Sequence, residues 1–264
     1  ARRRRALISE RRNGPQGKDN CVLAIVERGR PATIDVGGRR RVIAGAICWL
    51  LAVEFFVAQA IAQAAWPGYS AVDQDISTLG VTACGPFVDP TTGRTTDVCS
   101  PLHVVMNAGF VLLGVLTIAG ALLTANAWPR NRRSRVGLGL LAIGAVGTTL
   151  SGVFPGNVDL TWHVAGALLY WIFGSAGIIL LGLSLWRTRR GIAIFSLVCG
   201  VVALAAFVLY GNQTYFGLGR GIMERIAGYT PTIWLIALGA LILRDSLRGE
   251  PSPSARRPED SPPL

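Results

Sequence analysis

Lysine is nearly absent, Lys18 being the only one in 264 residues. A Walker-type phosphate loop needs a Gly-Lys-Ser/Thr step, so ATP-driven pumping within this chain is excluded. Two histidines and five cysteines leave little room for a zinc framework. His-Glu-x-x-His, Gly-x-Ser-x-Gly and Cys-x-x-Cys do not occur, and no cofactor motif identifies itself. Charge is scarce as well. Only 16% of residues are charged, against about 25% in an ordinary soluble domain. Disorder, a coiled coil and a typical soluble enzyme are excluded together.

Apolar residues make up 51% of the chain, and mean hydropathy is +0.44. Six stretches have the roughly 20-residue apolar length that a spanning helix needs. They lie at about 42–66, 103–127, 136–155, 162–186, 191–210 and 222–244. Trp66, Trp128, Trp162 and Trp186 fall at the expected boundaries, where an amphipathic ring sits at headgroup level. Pro231 lies inside the last stretch and is expected to kink it, as membrane helices tolerate. The first stretch resembles a signal peptide around Ala58-Gln59-Ala60, but its apolar run is too long and contains Glu54, so a retained span is favoured.

The 26 Lys+Arg against 15 Asp+Glu describe topology rather than nucleic-acid binding. Twelve basic residues precede the first span, including Arg39, Arg40 and Arg41. Four occupy the second loop, three the fourth loop, and four the region from Arg244 onward. Arg94, Arg220 and Arg225 alone fall on the other side. By the positive-inside rule both termini are cytoplasmic. The fold expected is therefore all-α: a polytopic integral membrane protein of six transmembrane helices in the cell membrane. Residues 39–246 form the helical domain, with an extracytoplasmic loop at 67–102. Residues 1–38 read as a disordered basic cytoplasmic arm or as sequence upstream of the true start, since no Met precedes Met106. Residues 247–264, rich in Pro and Ser, read as a solvated tail.

The polar residues gather at one membrane level. His103 opens the second span, and Asn107 follows at i+4 on the same helical face. Asp159 is placed to cap the fourth span one turn before His163, and Glu224 and Arg225 open the sixth. Tyr69, Ser70, Asp73, Asp75 and Ser77 reach over from the end of the first. The expectation is that His103, Asn107, His163 and Glu224 or Arg225 converge in one outward-facing cavity. The Cys84–Cys99 loop and Arg94 would form its cover. The competing reading is ordinary interfacial polarity, which is cheap at helix ends. Such a set is compatible with a divalent metal but specifies none, and no metal ligands are assigned.

Cys84 and Cys99 on the oxidising side are expected to form a disulfide, contributing on the order of 3 kcal/mol by loop closure. Free thiols, or less readily a metal pair, are the alternatives. Cys48 and Cys199 lie in spans as small apolar residues. Glu54 lies near mid-span, where an ionised group costs about 2.5–3.5 kcal/mol or more. A neutral, hydrogen-bonded carboxyl is expected there, serving either as a proton relay or as a structural bond. Gly144, Thr148 and Gly152, spaced by four, allow a neighbouring backbone close approach. Gly217, Gly219 and Gly221 follow no strand, so they do not form a nucleotide loop.

Several of these pieces occur in a familiar order: Pro67-Gly68-Tyr69-Ser70, Ile76-Ser77-Thr78-Leu79-Gly80, Asn107-x-x-Phe110, Gly152-Val153-Phe154-Pro155, His163-Val164-Ala165-Gly166-Ala167 and Gly221-Ile222-Met223-Glu224-Arg225. Over about residues 42–244 the chain resembles the prokaryotic membrane proteins of domain-of-unknown-function family 998. The resemblance implies a six-helix integral membrane protein, and it supplies no reaction and no catalytic residue. The long Cys84–Cys99 insertion departs from the pattern.

Three functions remain in view. The first is an outward-facing pocket that binds or modifies a lipid headgroup or a lipid-linked substrate. There the histidines and carboxylates would supply acid–base chemistry, and Arg225 would pair with a phosphate. The second is a proton-coupled carrier that uses Glu54, although the two halves show no internal match. The third is a structural subunit with a membrane-protein partner or a second copy of itself. Membrane lipid is the expected partner and nucleic acid is not.

Overall fold

The structure, a computed structural model, describes residues 36–88 and 93–248. The expectations for residues 1–35 and 249–264 lie outside that range. Six helices are long and apolar enough to cross a membrane: α1 (Gly37–Ala64), α2 (His103–Leu123), α3 (Arg132–Val153), α4 (Leu160–Ser184), α5 (Arg190–Gly211) and α6 (Arg220–Arg248). The chain is a multi-pass membrane protein. Helix α1 starts ahead of the expected 42 because Arg39, Arg40 and Arg41 already belong to it. Local chemistry sets other starts. Asn131 Oδ1 accepts the Ser134 N–H at 2.9 Å before α3, and Asp159 Oδ1 accepts the Trp162 N–H at 3.2 Å before α4, each satisfying a helix-end donor.

The fold is not purely helical among the described residues. Strands β1 (Gly85–Val88) and β2 (Thr95–Val98) pair antiparallel, with Gly85 opposite Val98 and Val88 opposite Thr95. The Cys84–Cys99 disulfide closes the base of this hairpin. Between α1 and the hairpin, residues 67–81 form a loop that ends in a short 3-10 turn, Ile76–Gly80.

Each helix packs mainly on its neighbours in sequence, and α6 returns to pack on α1. The result is a ring. Glycine permits the closest crossings. A Cβ on Gly147 would lie 2.3 Å from Gly166 O, and one on Gly166 would lie 2.5 Å from Gly147 O, so α3 and α4 meet backbone to backbone. The expected stripe on α3 serves two neighbours rather than one. Gly144 meets Gly174 of α4, whereas Gly152 meets the Asn107 carbonyl of α2. Helix α4 widens to a π turn at Leu169–Gly174, where Tyr170 Oη donates to Gly228 O of α6 at 2.8 Å. Pro231 sits one turn away in α6, inside a helix that runs on past it.

The Arg-rich end is locked by aromatic packing and by helix-end contacts. Trp49, Trp128 and Trp234 cluster with ring centroids 5.7 to 6.3 Å apart. Trp128 is thus buried instead of lying in an interfacial belt; Trp66, packed on Tyr69 at the opposite end, is buried as well, while Trp162 and Trp186 are exposed. Arg39 Nε donates to Ser246 O at 2.8 Å, and Arg189 pairs with Asp245.

Replacing Gly147 with Val is expected to destabilise the protein by about 1–3 kcal/mol through overpacking, read as a lower Tm in detergent. Gly139→Ala, where an added Cβ meets nothing within 4 Å, should leave Tm unchanged or slightly raised. Equal Tm values for Gly147→Val and the unaltered protein would refute the backbone-contact account.

Candidate functional site

The first two turns of α6 grip the loop that follows α1. Arg225 is buried, and its Nη1 donates to Ala71 O, Gln74 O and Gly221 O at 2.8, 3.0 and 2.9 Å. Its Nη2 donates to Tyr69 Oη at 2.7 Å, and Tyr69 Oη in turn donates to Asp75 O at 2.8 Å. Burial pushes the Tyr69 phenol up to about 12, although Arg225 pulls the other way. Glu224 lies one residue earlier, and its Oε2 accepts the Ile76 N–H. Glycine makes this approach possible. The backbone at Gly219 has φ +93°, and a Cβ there would lie 2.4 Å from Val72 O; one on Gly221 would lie 2.3 Å from Gln74 O. The glycine-rich run thus serves loop packing.

Asp75 anchors the same loop from its side chain. Arg220 Nε donates to both carboxylate oxygens at 2.9 Å, and Arg220 Nη2 approaches Asp75 Oδ2 at 2.9 Å. Tyr210 Oη donates to Asp75 Oδ2 at 2.8 Å and receives Arg220 Nη2 at 2.9 Å. Asp75 is buried and Arg220 half-buried, and the Tyr210 hydroxyl adds a further donor to the carboxylate, which helps to offset its desolvation.

Beneath the gripped loop lies a cavity of about 340 Å³ to which all six helices contribute. Its loop end is polar, formed by Asp73, Asp75, Ser77, His163, Tyr210, Arg220 and Glu224. Its walls are apolar, formed by Phe55, Phe110, Leu113, Val164, Leu168, Trp171 and Phe207. The hairpin adds Phe87, Arg94 and Thr96. His163 Nδ1 lies 3.1 Å from Ser151 O and 3.0 Å from Phe154 O. Both partners only accept, so Nδ1 carries the proton and Nε2 of the neutral ring offers a lone pair. Trp171 Nε1 is buried without a partner among the described residues.

The structure separates residues that the sequence grouped. Asp73, Asp75, Ser77, His163 and Glu224 line the cavity. His103 and Asn107 do share a face, but that face borders a different, open groove with Gly152 and Pro155. The cause is local: Asn107 Nδ2 donates to Gly80 O at 2.9 Å, which turns the face toward the 3-10 turn and α3. The part of α2 that reaches the cavity is Phe110 and Leu113. Arg225 and Tyr69 hold the loop and do not line the cavity. Ser70 Oγ bonds Asp73 Oδ2 at 2.7 Å, and Asp159 acts as a helix cap. Glu54 is also outside the cavity, and its Oε1 is buried without a partner among the described residues, so the expected hydrogen bond is not formed on that atom.

Sequence reasoning alone does not reach Arg220, Tyr210 and Trp171 as site residues. Arg220 stands four residues before Glu224, a spacing that puts both on one helix face. Tyr210 and Trp171 carried no signal beyond being aromatic within a span.

The model of the family described as protein of unknown function DUF998 matches residues 42–241. The chain belongs to this family. No curated protein and no solved structure matches it.

Replacing Arg225 with Ala leaves several buried oxygens without their donor and should loosen the loop by about 3 kcal/mol. Hydrogen exchange at amides 70–78 should then accelerate by about two orders of magnitude. Unchanged protection would show that the loop is held by something else.

Proposed function

We propose that the cavity binds the headgroup end of a membrane lipid or lipid-linked substrate from the extracytoplasmic side of the cell membrane. The observation that carries this reading is a small cavity, polar at its loop end and apolar along its walls, with an apolar flank between two helices. The first half of α4, Leu160–Leu168, packs on α3, and the main contact with α5 comes from the second half, Ser175–Ser184. Val164 and Leu168 line the cavity in that first half and are 40% and 42% exposed. Phe207, Tyr210 and Gly211 of α5 face the cavity opposite them. An acyl chain fits such a flank, because at this depth the surroundings are hydrocarbon. His163 Nε2 and the Glu224 carboxyl lie where a bound headgroup would be, which supports acid–base chemistry on it as an extension of binding.

The sidedness rests on the basic residues. Those at the Arg-rich end mark the cytoplasmic side, with both termini there, and a disulfide at the opposite end suits an oxidising compartment. After mild reduction of intact cells, a membrane-impermeant maleimide should label Cys84 and Cys99. Labelling only after the cells are opened would reverse the orientation.

Filling the flank tests the main reading. Leu168→Trp should lower the lipid retained by the purified protein about tenfold, a loss of some 1.4 kcal/mol, at unchanged Tm. Lipid retention equal to that of the unaltered protein would refute the flank as the chain's path. A proton-coupled carrier draws on one observation, the buried unpartnered oxygen of Glu54. For that reading, reconstituted vesicles under a pH gradient should lose flux on Glu54→Gln, and equal flux ends it.

A further inference from the structure

The hydrogen-bonding groups around the cavity are unequally available. A phosphate-reading site would present guanidinium donors, yet the two guanidiniums in the first turns of α6, Arg220 and Arg225, are engaged by the protein itself. Arg225 donates to three backbone carbonyls and to Tyr69 Oη. Arg220 donates to both oxygens of Asp75 and to Tyr210 Oη.

What remains is mostly acceptor. Glu224 is only 5% exposed and lines the cavity. Its Oε2 takes the Ile76 N–H, while its Oε1 takes no hydrogen bond from any described residue. That oxygen borders the cavity and is open to a donor from a ligand. His163 adds a second acceptor, since its Nδ1 is bound to two carbonyls and its Nε2 holds the lone pair. Among the charged lining residues, the carboxylates Asp73, Asp75 and Glu224 outnumber the guanidiniums Arg94 and Arg220. Aromatic rings stand beside them. Trp171 and Phe207 stack at 4.9 Å, and Tyr210 lies 5.8 Å from Trp171, surfaces that attract cations.

From this inventory we infer that the cavity selects a lipid whose headgroup ends in a primary ammonium. The inference rests on the lipid-binding reading above and adds the headgroup class to it. The ammonium donates to Glu224 Oε1 and His163 Nε2. An ester or phosphate oxygen nearer the chain accepts from the unpartnered Trp171 N–H. Such a molecule offers a partner to Glu224 Oε1, His163 Nε2 and Trp171 Nε1.

The test is competition on the purified full-length protein, read by native mass spectrometry. The lipids share palmitoyl and oleoyl chains and differ in the head: phosphatidylethanolamine, its N,N-dimethyl derivative, phosphatidylcholine and phosphatidylglycerol. Methylation keeps the cation and removes the N–H donors in steps. Phosphatidylethanolamine should be retained about tenfold over phosphatidylcholine and phosphatidylglycerol, with the dimethyl lipid between them. Glu224→Gln keeps an acceptor for Ile76 N–H but can present an amide N–H toward the ligand, so the preference should fall to about onefold. Equal retention of phosphatidylethanolamine and phosphatidylcholine overturns the ammonium reading while leaving lipid binding intact. Retention of none of the lipids overturns lipid binding itself. Free ethanolamine at the same concentration should displace nothing, and displacement by it would mean that a soluble amine is the ligand. The lipid series needs no variant, so misfolding of Glu224→Gln would not leave the question open.

Discussion

The grip of α6 on the loop after α1 is the contact on which the site depends. A loop of irregular backbone at the edge of a membrane must satisfy its own polar groups, because unsatisfied ones cost several kcal/mol in hydrocarbon. Here one guanidinium satisfies Ala71 O, Gln74 O and Gly221 O, and one carboxylate satisfies Ile76 N. These groups are consecutive residues of α6, so a single helical turn places both. Asp75, fixed between them, can then take Arg220 and Tyr210 with its side chain. The roof of the cavity and its polar end are built by the same few bonds.

Ring packing supplies the space below. Helices that meet through glycine come closer than side chains would allow, and α3 does so on two faces. That closeness draws the perimeter tight without filling the centre, which Phe55, Phe110 and Phe207 line.

Much of this was legible in the sequence for one reason: a spanning helix must be long and apolar, and α1 to α6 announce themselves by that constraint alone. The residues of the cavity's polar end were legible in part. Asp75, His163 and Glu224 were reached by their level in the membrane. His103 and Asn107 were at the right level but on the wrong side, since a spacing of four fixes which residues share a face and not where the face points. In the sequence Arg225 looks like a partner for phosphate, because a charge count cannot reveal that backbone carbonyls have claimed its donors. Arg220 escaped for the complementary reason, its partner Asp75 lying far away in sequence. The hairpin and its disulfide were foreseen as a linked loop without strands, since four-residue strands leave little periodicity to read.

The order of the ring bears on how the protein comes into being. Walls between neighbouring helices can form as each pair emerges, in keeping with local contacts being the fast ones. The seam between α1 and α6 cannot. During synthesis from the N-terminus, the Tyr69–Gly80 segment is made long before Arg220, Glu224 and Arg225 exist, so its carbonyls stay with water until the last helix arrives. Gly239 then meets Ala46 and Trp49 at one end, while Glu224 and Arg225 close the other. The cavity is therefore a product of the final insertion step, and a chain that has not completed it has walls but no roof over them.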